Sequence, residues 1–542
     1  MKKITLAITS FLFLTNIATA QVTNTGTPVS WYRQALSPID PIVLPQIDMK
    51  AIEAEDAIND LKIDQPWRFG IELQVNYGID NAGVWDELPN GDRIWRINLI
   101  SNGAKTMNFV FDQYYMPPGG TVYLYNNDQT ALLGAYDSSL NREDMYLGTW
   151  TVEGENIWIE YYEPKSYKNQ GRLNIVKAVH GYRMATDSEI LAKGLNTSGD
   201  CNLDVDCPIG DDFDDLKNQL KHSVAHMIMG GFICTGNLIN NVNNDNAPYF
   251  LTANHCDAGN PATWAFRFNW ISPNPVCAST QNSTNSTFNQ TSGATKLAAN
   301  SKSDVMLLNI DGNLSSSWGL VWAGWNRSTT DVPDFTVGIH HPDGDIMKVC
   351  RDDQSPTRAT FDFGPNPTAQ MWRVGNWELG VTEGGSSGSA LFDQEGRIVG
   401  QLAGGTAACS GTSNNGGFDI YGRFDTSWDF GSSASSRLKD WLDPDDTGAM
   451  TADLLDTPNF QYLHNLSIYP NPATNFIYIM NNNSTELEYQ LYDVQGKVVR
   501  SAAIPELNNT VQVSDLNEGI YFLRLNDGAT NSSVTKKIIV NR

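Results

Sequence analysis

Basic residues and histidines are scarce in this chain of 542 residues. It has 36 Lys and Arg against 61 Asp and Glu, and its formal net charge is -25 at pH 7. A protein of that charge repels phosphate backbones, so we expect no nucleic acid among its partners. There are seven histidines, few enough that the surroundings of each one can be weighed separately.

Long apolar runs are also absent after the first 20 residues. No later run reaches the roughly 18 residues that a membrane-spanning helix needs, so we expect no transmembrane span. The N-terminus has positive charge in residues 2–3, an apolar run over 4–17 and small residues at 18–20. This order predicts a secretory signal peptide over residues 1–20.

Cysteine is missing from both ends of the chain, and all seven cysteines lie between Cys201 and Cys409. In an exported protein, seven cysteines imply three disulfides and one cysteine left over. This confinement predicts a separate disulfide-linked domain over residues 194–455. Residues 456–542 follow, where short strand-like runs alternate with Asn-rich turns.

The cysteine-free stretch 21–193 has the pattern of strands. Aromatic and β-branched residues alternate with period two in 93–100 and 121–125, and a Pro-Gly turn at 117–120 separates them. The pattern predicts a β-rich domain. No set of catalytic residue types is visible in it. We interpret it as a pro-domain, and a carbohydrate- or protein-binding module is the alternative.

Three serines lie among glycines in the stretch 383–389, Glu-Gly-Gly-Ser-Ser-Gly-Ser. Glycine tolerates positive φ and allows a substrate carbonyl to approach the backbone closely. Such a turn can hold a serine oxygen and two backbone N–H groups around one point, as acyl transfer requires. Alone, the stretch also fits a flexible Gly/Ser loop, so its interpretation depends on other residues.

Two further residues supply what a serine nucleophile needs. His255 ends a predicted strand, and Asp304 stands directly ahead of the apolar run 305–308. Each residue alone also fits a structural role, as a satisfied histidine or a turn aspartate. Together with Ser387 they follow the order His, Asp, Ser that chymotrypsin-like proteases use.

That order predicts a role for each residue. Ser387 would attack the carbonyl, His255 would take and return the proton, and Asp304 would hold the imidazole tautomer. The backbone N–H groups of Gly385 and Ser387 would form the oxyanion hole.

A rival assignment makes Ser386 the nucleophile, because residues 384–388 also fit the G-x-S-x-G motif of α/β-hydrolases. That fold needs its histidine after the serine, and the only histidine beyond residue 386 is His464, past the disulfide-linked domain. The alternating strands and long amphipathic helices of that fold are also missing around the motif. We therefore reject this assignment.

The remaining histidines do not predict a metal site. His222 and His226 are four residues apart, but Ser223 stands where a zincin has its glutamate. His340 and His341 are adjacent, so a strand cannot aim both imidazoles the same way. We expect no catalytic metal and no cofactor.

The disulfide-linked domain resembles the secreted bacterial lysyl endopeptidases, which are chymotrypsin-fold serine proteases. The resembling blocks are 201–208 (CNLDVDCP), 251–256 (LTANHC), 322–327 (WAGWNR), 339–342 (IHHP), 381–389 (VTEGGSSGS), 421–423 (YGR) and 436–444 (SRLKDWLDP). The resemblance implies a mostly β fold, a chymotrypsin-like double β-barrel flanked by a β-rich pro-domain and a C-terminal β-sandwich. It also implies a serine endopeptidase that cleaves proteins and peptides after basic residues, preferentially lysine.

The same resemblance implies three disulfides, a specificity residue and a processing site. The disulfides are Cys201–Cys409, Cys207–Cys277 and Cys234–Cys256, with Cys350 as a free thiol. The specificity carboxylate falls on Asp419, which would meet the cation of a basic side chain in a closed pocket. Lys193 and Gly194 lie just ahead of Cys201, where a lysine-specific protease could cut off its own pro-domain.

The tail resembles the C-terminal sorting domains of type IX secretion substrates. The resembling segments are 468–474 (IYPNPAT), 491–497 (LYDVQGK), 516–521 (LNEGIY) and 536–540 (KKIIV). The resemblance implies a small β-sandwich that the type IX secretion machinery reads. We expect a monomer that is secreted or attached to the cell surface. The alternative function is a non-catalytic surface adhesin on a protease-like fold, which would lack a member of the triad.

Overall fold

The structure is a computed structural model of the chain. It describes residues 24–541 except 25, 34, 63–64, 184–197, 282, 284–287, 362–368, 413–414, 457–466, 481–486, 495, 505–509 and 528–531. The predicted signal peptide and the predicted processing site at Lys193 and Gly194 lie outside the described residues.

The described part of the N-terminal region, up to residue 183, contains one α-helix and two β-sheets. The helix, α1, spans Met49–Asn59. One sheet has the strand order β1-β5-β11-β7-β8 with β4 beside β5, and the other has β10-β6-β12-β3 with β9 beside β6. The strands are β1 Ile42–Val43, β2 Trp67–Arg68, β3 Gly70–Gly78, β4 Val84–Glu87, β5 Arg93–Ile100, β6 Thr106–Phe111, β7 Thr121–Asn126, β8 Leu132–Tyr136, β9 Leu147–Gly148, β10 Val152–Glu153, β11 Asn156–Glu163 and β12 Asn174–Gly181.

The central strand β11 shows why this region forms a sheet. It pairs antiparallel with both β5 and β7. Ile157, Ile159 and Tyr161 alternate along it and are fully buried, as the period of two requires for side chains on one face of a strand. These residues pack into a hydrophobic cluster built from both sheets.

The disulfide-linked region contains two large sheets. The first has the order β18-β17-β14-β15-β16-β20-β19, and the second has β13-β24-β23-β27-β28-β29-β26-β25 with β22 beside β28 and β30 beside β22. The strands are β13 Leu203–Asp204, β14 Val224–Met229, β15 Phe232–Leu238, β16 Tyr249–Ala253, β17 Ala265–Phe268, β18 Asn289–Ser292, β19 Ala294–Asn300, β20 Val305–Ile310, β21 Val321–Trp322, β22 Trp325–Asn326, β23 Thr336–His340, β24 Lys348–Asp352, β25 Thr357–Phe361, β26 Ala369–Val374, β27 Ala390–Phe392, β28 Ile398–Gly405, β29 Asp419–Arg423, β30 Thr451–Ala452 and β31 Leu455–Asp456.

Helices are short in this region. They are α2 Asp214–Leu220, α3 Phe424–Trp428 and α4 Lys439–Leu442. The first sheet encloses a cluster that includes Phe250, Phe266 and Leu308, and a second cluster that includes Trp325 and Ile339 joins the two sheets. The two sheets are the barrels of the predicted double β-barrel.

The C-terminal region has two further sheets, with strand orders β32-β33-β36 and β35-β34-β37-β38. The strands are β32 Ser467–Tyr469, β33 Phe476–Met480, β34 Leu487–Tyr492, β35 Val498–Ile504, β36 Thr510–Gln512, β37 Gly519–Asp527 and β38 Ser532–Val540. Their inward side chains form a separate cluster that includes Ile477, Leu491 and Leu523. The predicted fold class is therefore confirmed: the protein is mostly β, with a double-barrel domain between two β-rich regions.

None of the helices within the described residues has the length and apolarity that crossing a membrane requires.

Candidate active site

Two paired strands of the first barrel bring a histidine and an aspartate together. β16 and β20 run antiparallel, with Ala253 opposite Val305. His255 lies in the helical turn that follows β16, and Asp304 directly precedes β20. Asp304 has φ 55°, in the left-handed region that aspartate tolerates better than most residues. The strand pairing therefore aligns two residues that are 49 positions apart.

The carboxylate of Asp304 holds His255 at two points. One oxygen lies 2.6 Å from Nδ1 of the ring, and the other accepts the backbone N–H of His255 at 2.8 Å. The two side chains are only 4% and 8% exposed. The bond to the main chain fixes the carboxylate relative to His255, and the bond to Nδ1 then sets the orientation of the ring. Within the described residues Nε2 of His255 has no hydrogen-bond partner, so it is available to another group.

Ser387 comes to the same place from the second barrel, just ahead of β27. Its carbonyl oxygen accepts the N–H of Thr235 at 2.8 Å and lies 3.8 Å from Sγ of Cys256, the residue after His255. The structure therefore brings His255, Asp304 and Ser387 into one region. A hydrogen bond between Ser387 and Nε2 of His255 is not present.

The two neighbouring serines differ in exposure. Ser386 is fully buried and lies 2.8 Å from Nδ1 of His340, whereas Ser387 is half-buried and lines a cavity. The rejection of Ser386 as a nucleophile agrees with this burial. Gly388 follows with φ 83°, and a Cβ there would lie 2.5 Å from the carbonyl oxygen of Thr235, so glycine is required.

A cavity of about 290 Å³ lies beside Ser387. Its wall includes Thr382, Gly404, Gly405 and, at its buried end, Asp419. A carboxylate in such a cavity can pair with a cation that enters from the open side, with little screening by solvent.

Two uncharged groups hold the carboxylate of Asp419. Thr382 Oγ1 and Trp377 Nε1 donate to Oδ2 at 2.6 and 2.7 Å. Burial nevertheless raises the pKa of Asp419 to about 6, although both hydrogen bonds lower it. The carboxylate is therefore largely ionised at neutral pH, and its hydrogen-bond partners supply no counter-charge.

A segment of the N-terminal region forms the other wall of this cavity. β2 pairs antiparallel with the edge of β15, with Trp67 opposite Ile233 and Arg68 opposite Phe232. Pro66 and Trp67 line the cavity, and a Cβ on Gly384 would lie 2.3 Å from Cδ1 of Trp67. The indole therefore sits directly on the glycine turn that carries Ser387.

The cysteines pair in three disulfides, Cys201–Cys409, Cys207–Cys277 and Cys234–Cys256, with Cys350 buried and free. These are the pairs that the resemblance implies. The third disulfide links β15 to the turn that carries His255. Cys234, His255 and Cys256 are also the group in the described part of the chain that has metal-ligand proximity, but both sulfurs are used in the disulfide.

Two other histidines within the described residues belong to an aromatic stack. His226 is on strand β14 and stacks against His341 and Trp270, with ring centroids 5.2 and 6.0 Å apart. The spacing of His222 and His226 therefore does not belong to one helix face. His340 and His341 contact different partners, as their adjacency predicts.

Three residues that contact the site have roles that the sequence did not predict. Trp377 and Thr382 hold Asp419, and Thr235 holds the main chain of the glycine turn. Thr235 contacts Gly385 across 150 positions of the chain. A local sequence pattern cannot predict a hydrogen bond between residues so far apart in the chain. Single Thr and Trp residues also occur in most strands without such a role.

Known proteins and family models match two parts of the chain. Residues 195–422 match the family model described as lysyl endopeptidase, C-terminal domain. Residues 467–541 match the secretion system C-terminal sorting domain. A lysyl endopeptidase of Pseudomonas aeruginosa is 28% identical over 368 residues, which cover 63% of this chain and 76% of that protein.

Two crystal structures of the protease Rv3671c, one described as from M. tuberculosis H37Rv and both in an inactive form, are also similar. They have TM-scores of 0.26, are 14% and 15% identical, and cover 38% of this chain and 84% and 86% of their own chains. No conclusion about activity follows from similarity at this level.

The fold and the family matches define a protease. More specifically, the predicted resemblance is confirmed: residues 195–422 are similar to the lysyl endopeptidases, and residues 467–541 match a secretion-system sorting domain. It is a secreted protein, released or attached to the cell surface after export, and the sorting domain involves the type IX secretion machinery.

Proposed function

We propose that the protein is a serine endopeptidase that cleaves after basic residues, preferentially lysine, through an acyl-enzyme. The observation that carries this proposal is the convergence of the bonded His255–Asp304 pair with Ser387, beside a cavity that ends at buried Asp419. Its substrates are proteins and peptides, because the cleft accepts a pairing strand along β15.

Each step of the proposed reaction is assigned to a particular residue. Ser387 Oγ attacks the carbonyl carbon and gives its proton to Nε2 of His255. Asp304 stabilises the imidazolium and keeps Nδ1 protonated. The N–H groups of Gly385 and Ser387 bind the oxyanion. His255 then protonates the leaving amine, and water cleaves the acyl-enzyme by the same steps in reverse.

The specificity for lysine rests on the state of Asp419. A buried carboxylate without a counter-charge is costly, so a substrate ammonium that reaches it removes an existing penalty. Arginine carries the same charge on a larger group and is the second choice in a cavity of about 290 Å³. An uncharged substrate side chain leaves the cost of the buried Asp419 charge in place, and this difference is what discriminates between substrates.

The N-terminal region is, in this proposal, a pro-domain that keeps the enzyme inactive. Trp67 and Pro66 stand between solvent and the cavity, and β2 occupies the strand edge that a substrate would use. Cleavage at Lys193-Gly194 would separate this region from the protease, and the lysine there matches the proposed specificity.

Digestion of a peptide mixture by the purified protein, analysed by mass spectrometry, tests the proposal. New C-termini should be lysine first and arginine second. Ser387→Ala should lower turnover by roughly 10⁶-fold, the scale seen when a triad serine is removed. Turnover retained in that variant would contradict the nucleophile. No cleavage by the wild type would favour the alternative, a non-catalytic surface adhesin.

Substitution of Asp419 by asparagine tests the specificity separately. The change keeps the size of the side chain and removes its charge, so cleavage after lysine should fall by about 10²-fold or more in kcat/KM. Cleavage after uncharged residues should change little. An equal loss for all substrates would show that Asp419 supports the fold and not the recognition of lysine.

A further inference from the structure

The serine next to the proposed nucleophile has a histidine partner of its own. Ser386 is fully buried, and its Oγ lies 2.8 Å from Nδ1 of His340. The same Oγ accepts the N–H of Glu383 at 3.2 Å, within the turn that leads to Ser387. Because burial keeps Ser386 from any substrate, the proposed reaction does not use this hydroxyl, and its contacts need another explanation.

The proton positions in this pair follow from counting donors and acceptors. Burial lowers the pKa of His340 to about 3, so its imidazole is neutral and has one donor and one acceptor nitrogen. Ser386 Oγ accepts the N–H of Glu383, and its own hydrogen finds an acceptor when Nδ1 of His340 is unprotonated. This assignment gives the hydroxyl hydrogen an acceptor, and the opposite tautomer leaves it without one; in both cases Nε2 of His340 has no hydrogen-bond partner in the described part of the chain.

Other groups hold the carbonyl oxygens of the same turn. Thr235 donates from Oγ1 to Gly385 at 2.9 Å and from its N–H to Ser387 at 2.8 Å. The N–H of Asp343 donates to the carbonyl of Gly384 at 2.5 Å. Across the described ranges, the N–H groups of Gly385 and Ser387 donate to no protein atom. They are the two donors that an oxyanion needs.

The histidine of the pair is itself fixed. His340 is fully buried at the end of β23, where it pairs with Lys348 of β24. Glycine peptide units rotate easily because they lack a Cβ, so the two glycines ahead of Ser386 do not hold the turn by themselves. Ser386 lies between Gly385 and Ser387, so a hydrogen bond from its side chain to His340 restricts both N–H groups at once.

We propose that the Ser386–His340 hydrogen bond positions the oxyanion hole. It holds the middle of the turn so that the N–H groups of Gly385 and Ser387 converge on one oxygen. The inference rests on the proposed function, because an oxyanion hole acts only in acyl transfer. Ser386 and His340 are positioning residues in this account, since neither touches the reacting atoms.

Two variants remove the hydrogen bond in different ways. Ser386→Ala removes the hydroxyl, and His340→Phe keeps the ring but removes its nitrogen. Each tagged variant is processed with untagged wild-type enzyme and then purified by its tag. The measurements are kcat and KM on a lysine peptide and the Ki of two ligands. A lysine-derived boronic acid forms an adduct with an oxygen in the hole, and n-butylammonium fills only the Asp419 cavity.

Loss of the Ser386–His340 hydrogen bond should weaken stabilisation of the transition state and leave binding of the substrate in the ground state unchanged. In both variants kcat should fall by about 10²-fold, the scale of one oxyanion donor, and the Ki of the boronic acid should rise by a similar factor. KM and the Ki of n-butylammonium should change by less than about twofold, because they report ground-state binding. His340→Asn places an amide near the position of Nδ1 and should restore about tenfold of the lost kcat.

Ser389→Ala is the matched control. Ser389 is a fully buried serine two positions after the nucleophile, and in the described part of the chain its hydroxyl has no hydrogen-bond partner. It should keep kcat within about twofold of the wild type.

Three results would overturn the inference. In the first, kcat is unchanged in Ser386→Ala and in His340→Phe. In the second, both ligands weaken equally as the unfolding midpoint falls, which indicates a structural role only. A wild type without any hydrolysis contradicts the proposed function first, and the positioning role fails with it.

Discussion

The two regions that flank the protease bury their apolar side chains in different ways. Within the described residues, every buried member of the sorting domain's hydrophobic cluster lies between Ala473 and Val540. In the N-terminal region the cluster also contains Ile228, Ile233 and Ala265, which belong to the first barrel of the protease. One flanking region therefore has its own core, and the other shares a core with the enzyme.

Polar contacts reinforce the shared core. Arg142 of the N-terminal region donates to the backbone carbonyls of Ser292 and Ala262, at 2.9 and 2.6 Å. Gly231, in the turn between β14 and β15, accepts the N–H of Phe69 at 2.8 Å. The sorting domain has a closed core, so its removal exposes no other core. The N-terminal region, in contrast, covers apolar surface that the protease cannot cover by itself.

Truncation should produce the largest difference between the two flanking regions. Without residues 21–183 the barrel exposes Ile228 and Ile233, and burial of such a side chain contributes roughly 1.5–3 kcal/mol each. The refolding yield of active protease should fall by about tenfold or more, because exposed apolar surface favours aggregation. Removal of residues 467–542 should leave the yield within about twofold. Equal yields for the two truncations would contradict the comparison.

The sequence predicts local features of the chain better than contacts between its regions. His255, Asp304 and Ser387 could be selected because their order and their flanking strands are local patterns. Strand β2 could not, because two residues are too short for a period-two signal and its partner in β15 is about 165 positions away. Contacts between regions depend on tertiary packing, which leaves no period in the sequence.

Trp150 offers a smaller perturbation of the same interface. It is buried, its ring meets that of His226 at a centroid distance of 5.3 Å, and the Arg267 guanidinium lies 3.9 Å above it. Trp150→Ala should lower the free energy of unfolding of the protease by about 3–5 kcal/mol, measured by urea denaturation of the full chain.

The matched control for Trp150 lies in the sorting domain. Tyr489 is buried in the closed cluster there, and Tyr489→Ala should destabilise the sorting domain and leave the protease transition in place. A protease transition that shifts equally in both variants would show that the two regions are coupled to the enzyme alike.

Acid should destabilise the interface between the N-terminal region and the protease, which contains His226, more than it destabilises the sorting domain. Burial first, and then the electrostatic influence of the neighbouring His341 and Arg267, hold the pKa of His226 well below its usual 6.5. Below pH 6.5 the unfolded chain therefore binds a proton that the folded interface does not, so stability is lost as the pH falls. The loss should be about 1.4 kcal/mol per pH unit for this group.

His226→Phe keeps an aromatic ring in the stack and should reduce the slope of stability against pH by that amount. Urea unfolding of the full chain at pH 7, 6 and 5 measures it. The sorting domain, residues 467–542, has no histidine and serves as the internal reference. An unchanged slope in the variant would mean that His226 does not carry the acid sensitivity.

The smallest effect concerns access to the cleft. If Trp67 on Gly384 keeps reagents from Ser387, its removal should speed labelling of Ser387 by a fluorophosphonate in the unprocessed chain. The background is Lys193→Gln, which removes the proposed processing lysine, and Trp67→Ala should raise the second-order rate about tenfold, equivalent to about 1.4 kcal/mol. Trp158→Ala, where the indole bonds Asn127 within the N-terminal region, should leave the rate unchanged. Equal rates in all three chains would mean that the N-terminal region stabilises the barrel without blocking the site, so that its shared core would be its main contribution to the enzyme.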